Sequence, residues 1–242
     1  MAPVDRPLEV NIVEKDFPAV GQRARLPVLR NIKLSIARGS FVSITGPSGC
    51  GKSTLLNIIA GLDKDFTGSV NTQEGDLRLS YMFQTPRLLP WRTVEENIRL
   101  VLPDGESHDQ RVTELIDRVG LSDAATAYPE RLSVGMQRRA ALARAFVLEP
   151  ALLLMDEPFV SLDDPTAEAL RQLLIELWSR RPTTVLFVTH DRFEAVMLGT
   201  RLIRVDGRPA TVVQDIPVNL TVSERRDRDS ILAERVRVFQ DA

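Results

Sequence analysis

Residues 41–62 read "FVSITGPSGCGKSTLLNIIAGL", three short patterns in succession. "FVSIT" is a short β-rich run. "GPSGCGKST" (46–54) follows it and fits the pattern G-x-x-x-x-G-K-[ST]. "KSTLLNIIAGL" (52–62) then has the spacing of a helix ended by Gly61. Strand, glycine loop and helix in that order make a phosphate-binding loop. Its glycines let the chain curl so that successive N–H groups point inward at phosphate oxygens, and the helix start adds partial positive charge. Lys52 is expected to reach the β- and γ-phosphates of a nucleotide, and the Ser53 hydroxyl to ligate Mg²⁺. Gly46, Pro47, Ser48, Gly49, Cys50, Gly51, Lys52, Ser53 and Thr54 are therefore the candidate nucleotide-binding residues, Cys50 only as a tolerated small one.

Such a loop needs carboxylates at the end of another strand. "LLLMDE" (152–157) supplies them. Asp156 is placed to hold Mg²⁺ through water, and Glu157 to polarise an attacking water. A strand ending in an exposed acidic turn is the plainer reading; the phosphate loop in the same chain favours the functional one.

The rest of the chain sets these parts in an α/β frame. "VLRNIKLSIARGSFVSIT" (28–45) has a hairpin-like alternation around "RGS". Residues 93–149 show helical patterns and no strand. "DPTAEALRQLLIELWSRR" (164–181) reads as a helix with Asp164 as N-cap, Pro165 at the first helical position and a stripe of Leu170, Leu173, Leu174, Leu177 and Trp178. "TTVLFVTH" (183–190) is a buried strand, and "RLIRVDGRPATVV" (201–213) a hairpin with an Asp-Gly turn. Strands alternating with helices predict a mainly parallel sheet, with the central helical block inserted into it.

Composition narrows the function. With 31 Lys and Arg against 33 Asp and Glu, there is no basic field for nucleic acid. The single cysteine, Cys50, excludes an internal disulfide and fits a reducing compartment. The N-terminus lacks an apolar secretory core, and "ALLLM" and "VLFV" are far shorter than the ~20 residues of a membrane span. A soluble cytoplasmic chain is expected, with any membrane role exercised through a partner.

The phosphate loop, "YMFQ" with Gln84, "LSVGMQ" (132–137), "LLLMDEP", "SLD" (161–163) and "VTH" with His190 stand in the order seen in ATP-binding cassette ATPases, which the chain resembles over residues 8 to 220. "FQTPRLLPWRTVEENI" (83–98) and "DEPFVSLD" look in addition like the ATPases of the nitrate/sulfonate/taurine importer group. The resemblance implies a P-loop NTPase fold: a RecA-like, mainly parallel sheet with an antiparallel β subdomain and an inserted α-helical subdomain. It implies a nucleotide-binding domain over 1–220, with 84–149 as the helical signature insert, and a C-terminal helical tail over 221–242.

It implies roles as well. Gln84 would contact Mg²⁺ and the attacking water. Leu132, Ser133, Val134, Gly135 and Met136 would form the signature that grips the γ-phosphate of ATP bound to a partner subunit. Asp163 would organise the dimer interface, His190 would hold the γ-phosphate, and Phe17 would stack on adenine. Leu88, Leu89, Pro90 and Trp91 would receive a cytoplasmic helix of a permease. Where relatives usually have Gly-Gly, this chain has Val134 before Gly135, which raises the question of what that helix start does. "RRAALARAF" (138–146) reads as a solvated basic face on an alanine-packed helix, with Arg138 and Arg139 near the interface. His108 reads as a solvated loop residue.

The implied function is the ATP-hydrolysing motor of an importer, using ATP and Mg²⁺. The motor would be a homodimer on the cytoplasmic face of the membrane, with two permease subunits and, indirectly, a substrate-binding protein. An exporter or lipid-transport ATPase, a soluble non-transport cassette ATPase and a weakly hydrolysing regulatory subunit are the alternatives.

Overall fold

Alternating and continuous apolar runs build two units. The computed structural model describes residues 8–18, 25–71, 78–103 and 109–239. The chain divides into Met1–Leu77 with Thr183–Ala242, and Arg78–Pro182.

The first unit contains β1 (Leu8–Phe17), β2 (Leu26–Ile36), β3 (Phe41–Thr45), α1 (Lys52–Ile59) and β4 (Thr67–Asn71). The second contains β5 (Leu79–Met82), α2 (Val94–Arg99), α3 (Asp109–Arg118), α4 (Val134–Val147), β6 (Leu152–Asp156) and α5 (Asp164–Arg180). The chain then returns to the first unit with β7 (Thr184–Val188), α6 (Arg192–Leu198), β8 (Arg201–Gly207), β9 (Ala210–Pro217) and α7 (Arg228–Phe239).

In the first unit the strands lie in the order β4-β1-β2-β9-β8-β3-β7. β3 is parallel to both β7 and β8. Every residue of β3 and β7 is buried, as expected for strands covered on both faces. β1 pairs antiparallel with β2 and β4, and β8 with β9. β1 alternates instead: Leu8, Val10 and Ile12 are buried, while Glu9, Asn11 and Val13 face solvent. α7, in the C-terminal tail, buries Ile231, Glu234, Val238 and Phe239. In the second unit β5 and β6 are parallel, and α2 to α5 carry the helical patterns expected there.

Three local expectations are corrected. Residues 28–45 do not form a hairpin: β2 and β3 find different partners, β2 with β1 and β9, β3 with β7 and β8. Alternation records burial, not which strand is next door. The β8–β9 hairpin turns at Arg208–Pro209, because Asp206 and Gly207 are already paired with Thr211 and Ala210. The N-cap of α5 is Asp163 and not Asp164; its carboxylate accepts from Thr166 N at 3.0 Å. His108 lies outside the described residues.

Candidate functional site

The phosphate loop leaves β3 at its C-terminal end and closes on α1. Gly51 caps the helix at φ +107, and a Cβ there would lie 2.7 Å from Val28 Cγ1, so only glycine fits. No side chain caps α1, and its first turn holds no acid. Pro47, Ser48, Gly49 and Ser53 are exposed, whereas Cys50 is buried as a small packing residue. Lys52 is only 5% exposed, and its ammonium donates to the carbonyls of Gly46 and Pro47, both at 2.9 Å.

His190 follows β7 at the same edge. Thr189 N donates to Ile44 O, so the histidine emerges beside the start of the loop. Its backbone is fixed on both sides. The Thr189 hydroxyl donates to the buried Glu194 at 2.7 Å and accepts from Asp191 N, while Asp191 caps α6. Phe17 ends β1, is 41% exposed, and has the Lys15 ammonium 5.0 Å from its ring centroid.

In the second unit, Asp156 ends β6 and is buried. Glu157 comes next at φ +46, a backbone region that a non-glycine residue adopts only when its surroundings enforce it. The register sets Met82 against Met155, so Gln84 leaves β5 alongside the point where Asp156 and Glu157 leave β6. Burial and the neighbouring charge of Asp156 push the Tyr81 hydroxyl up, keeping it protonated. Tyr81 stacks on Phe83 with ring centroids 4.0 Å apart, and the Arg87 guanidinium lies over Phe83. Arg144 of α4 donates to Pro86 O at 2.7 Å and Arg87 O at 2.9 Å, holding the segment after Gln84.

The start of α4 answers the question raised by Val134. Ser133 is the N-cap and accepts from Met136 N at 3.2 Å. Val134 is 53% exposed and fills nothing. Gly135 is buried, and a Cβ there would lie 2.5 Å from Thr166 Cγ2. The glycine is demanded by the subunit's own packing, and its neighbour is free to be bulky. Leu132 is buried below, and Met136 is half-buried. Asp163 accepts from Thr166 through both backbone and side chain, which holds its carboxyl below the usual range.

The basic face of α4 is not simply solvated. Arg138 is buried and donates to Val160 O, and Arg144 is engaged as above. Burial pushes both guanidinium groups down.

Trp91 is 69% exposed and Pro90 is exposed, while Leu88 and Leu89 are half-buried. The loop that carries them hangs on Asn97, fully buried, whose side chain accepts from Leu89 N and donates to carbonyls of Leu89 and Arg92. Asn97, Arg144, Thr189 and Glu194 escaped sequence reasoning. A polar residue at a helical core position was the one available signal, and it was clear only for Asn97.

The family model described as "ABC transporter" matches residues 29–160. The aliphatic sulfonates import ATP-binding protein SsuB 1 of Pseudomonas savastanoi pv. phaseolicola is 48% identical over 207 residues, covering 85% of each chain. The aliphatic sulfonates import ATP-binding protein SsuB of Bacillus subtilis is 43% identical over 240 residues, covering 96% of this chain and 92% of its own. The ADP- and Pi-bound dimeric structure of the ATP-binding cassette MJ0796, in a post-hydrolysis state, superposes with a TM-score of 0.75 at 33% identity, covering 88% of this chain and all of that one. With a phosphate loop on a parallel strand, a carboxylate pair at a strand end and these relatives, the chain belongs to the ABC transporter family and is an ATPase of it.

Proposed function

We propose that this chain is the ATP-hydrolysing subunit of an importer for aliphatic sulfonates or chemically similar small organic anions. One observation carries the nucleotide reading. A lysine ammonium almost removed from water is held by two main-chain carbonyls and by no carboxylate among the described residues. A buried cation without a counter-charge is costly, and a polyphosphate entering the loop supplies the missing negative charge. The import reading rests on the relatives named above.

In this reading, backbone N–H groups of residues 46–53 and Lys52 bind the phosphates, and Phe17 offers a ring to the base. Ser53, Gln84 and Asp156 supply hard oxygen donors of the kind magnesium takes, with phosphate oxygens completing its shell; the ion would neutralise charge on the phosphates. Glu157 accepts a proton from the attacking water, with Gln84 and His190 orienting it. Two copies close head to tail, Ser133 and Gly135 of one against the γ-phosphate held by the other, with Asp163 at the joint. Among the described residues no helix is long and apolar enough to cross a membrane. Membrane attachment then falls to two permease subunits, docked through Leu88, Leu89, Pro90 and Trp91 at the cytoplasmic face, with a substrate-binding protein delivering the anion.

Glu157→Gln tests the assignment. The amide keeps shape and hydrogen bonding but is a far weaker base, so hydrolysis should fall by at least ~100-fold while ATP affinity persists. Size-exclusion chromatography with ATP should then show a trapped dimer. Hydrolysis at the parental rate would remove Glu157 from its role.

A further inference from the structure

The β8–β9 hairpin carries a cation to the phosphate loop that none of the motifs above accounts for. Contacts on both sides of the loop locate it. Thr45 at the end of β3 pairs with Arg204 of β8, and a Cβ on Gly46 would lie 2.3 Å from Val205 O, so loop and hairpin backbones touch. Ala210 of β9 pairs with Leu29 of β2, and Leu29 with Val28 flanks Gly51 on the loop's other side. Between these contacts the two-residue turn projects Arg208. Its Nη2 lies 3.8 Å from where a Cβ on Gly49 would sit.

The surroundings leave this guanidinium uncommitted. Arg208 is exposed, and it makes no hydrogen bond or ion pair among the described residues. The acid two positions earlier, Asp206, accepts from Gly207 N at 2.6 Å instead. Arg201, at the start of the hairpin, differs: it makes a two-pronged pair with Asp215. The loop thus has Lys52 within and Arg208 at its rim, and among the described residues neither cation is paired with a carboxylate. Like charges so placed favour a polyanion that both can reach. The planar guanidinium also presents paired N–H donors that match phosphate oxygens.

We propose that Arg208 is a further nucleotide-binding residue of this ATPase, contacting the phosphate chain of ATP and ADP from the hairpin side of the loop. The proposal rests on the phosphate-loop reading and adds a residue to it. The contact is made within one subunit, so it acts before any dimer closes.

Calorimetric titration of ATP, ADP and adenosine into the purified full chain tests it, with wild type, Arg208→Gln, Arg208→Lys and Lys52→Ala compared at two salt concentrations. Arg208→Gln should weaken ATP and ADP about tenfold, the size expected for one charge-assisted contact to phosphate, and leave adenosine unchanged. Arg208→Lys should keep ATP binding within about threefold at low salt, and Arg208→Gln should show a shallower salt dependence than wild type. The apo melting temperatures should agree, with only the ATP-induced rise reduced in Arg208→Gln. ATP affinity of Arg208→Gln within twofold of wild type, while Lys52→Ala loses binding, overturns the proposal and leaves the phosphate loop standing. A wild type that does not bind ATP overturns both. Should glutamine disturb the turn, Arg208→Lys decides: a loss as large as that of Arg208→Gln removes the charge argument.

Discussion

Two helix starts in this molecule carry serine and glycine, and they are built in opposite ways. At α1 the N-cap is Gly51, no side chain answers the first N–H groups, and the nearby ammonium of Lys52 has only carbonyl partners. At α4 Ser133 caps the helix itself, and Gly135 is consumed by packing on Thr166. The first start is incomplete without an anion. The second is satisfied within its own chain, with Val134 itself exposed at the surface. A helix start without a capping side chain keeps its first N–H groups available to an anion, whereas a start capped by its own serine is stable without one.

Lys52→Ala should break the first arrangement most severely. Removing the buried ammonium should cost about two orders of magnitude in ATP affinity, roughly 2.7 kcal/mol, read by calorimetry. Unchanged affinity would mean that the uncapped helix start suffices, and that the buried lysine has another purpose.

Gly135→Ala attacks the second arrangement. The new methyl meets Thr166 Cγ2, and overpacking of this kind costs about 1–3 kcal/mol, visible in urea unfolding. Thr166→Ser in the same chain deletes that methyl while keeping the hydroxyl that donates to Asp163, and should recover most of the loss. If the double variant is no more stable than Gly135→Ala, the close approach is not what fixes the glycine.

Val134→Gly sharpens the contrast from the other side. An exposed residue at the first helical position leaves stability within about 1 kcal/mol, and ATPase should change less than tenfold, about 1.4 kcal/mol of barrier. A larger change in rate would mean that the valine side chain itself meets the partner's nucleotide.

The smallest effect concerns the joint beneath Gly135. Hydrogen bonds from Thr166 hold the Asp163 carboxyl below the usual carboxylate range in the folded chain. A lowered folded value means that its contribution is fully present above the unfolded pKa and lost as pH falls through the folded one. Wild type should therefore exceed Asp163→Asn in melting temperature at pH 7, and the gap should narrow as pH drops below ~4. A gap independent of pH would assign the cap to shape and not to charge.

Much of the site was legible because its chemistry demands residue types at fixed spacing along the chain. The phosphate loop, the carboxylates Asp156 and Glu157, and the strands ahead of them are local: their geometry follows from neighbours within a dozen residues, and the buried apolar runs of β3, β6 and β7 announce it. The helices over 93–149 are local for the same reason. What the sequence could not decide was which distant segments meet. Alternation in 28–45 looked the same whether β2 paired with β3 or with β1 and β9. The alanine-rich α4 gave no sign that Arg138 and Arg144 turn inward onto carbonyls 22 and 58 residues away. The reason for Gly135 lay in Thr166, and the approach of Arg208 to Gly49 in a sheet register that pairs β3 with β8. Backbone propensity and side-chain periodicity act over one or two turns, whereas these contacts depend on volumes and unpaired carbonyls that exist only after strands and helices have packed.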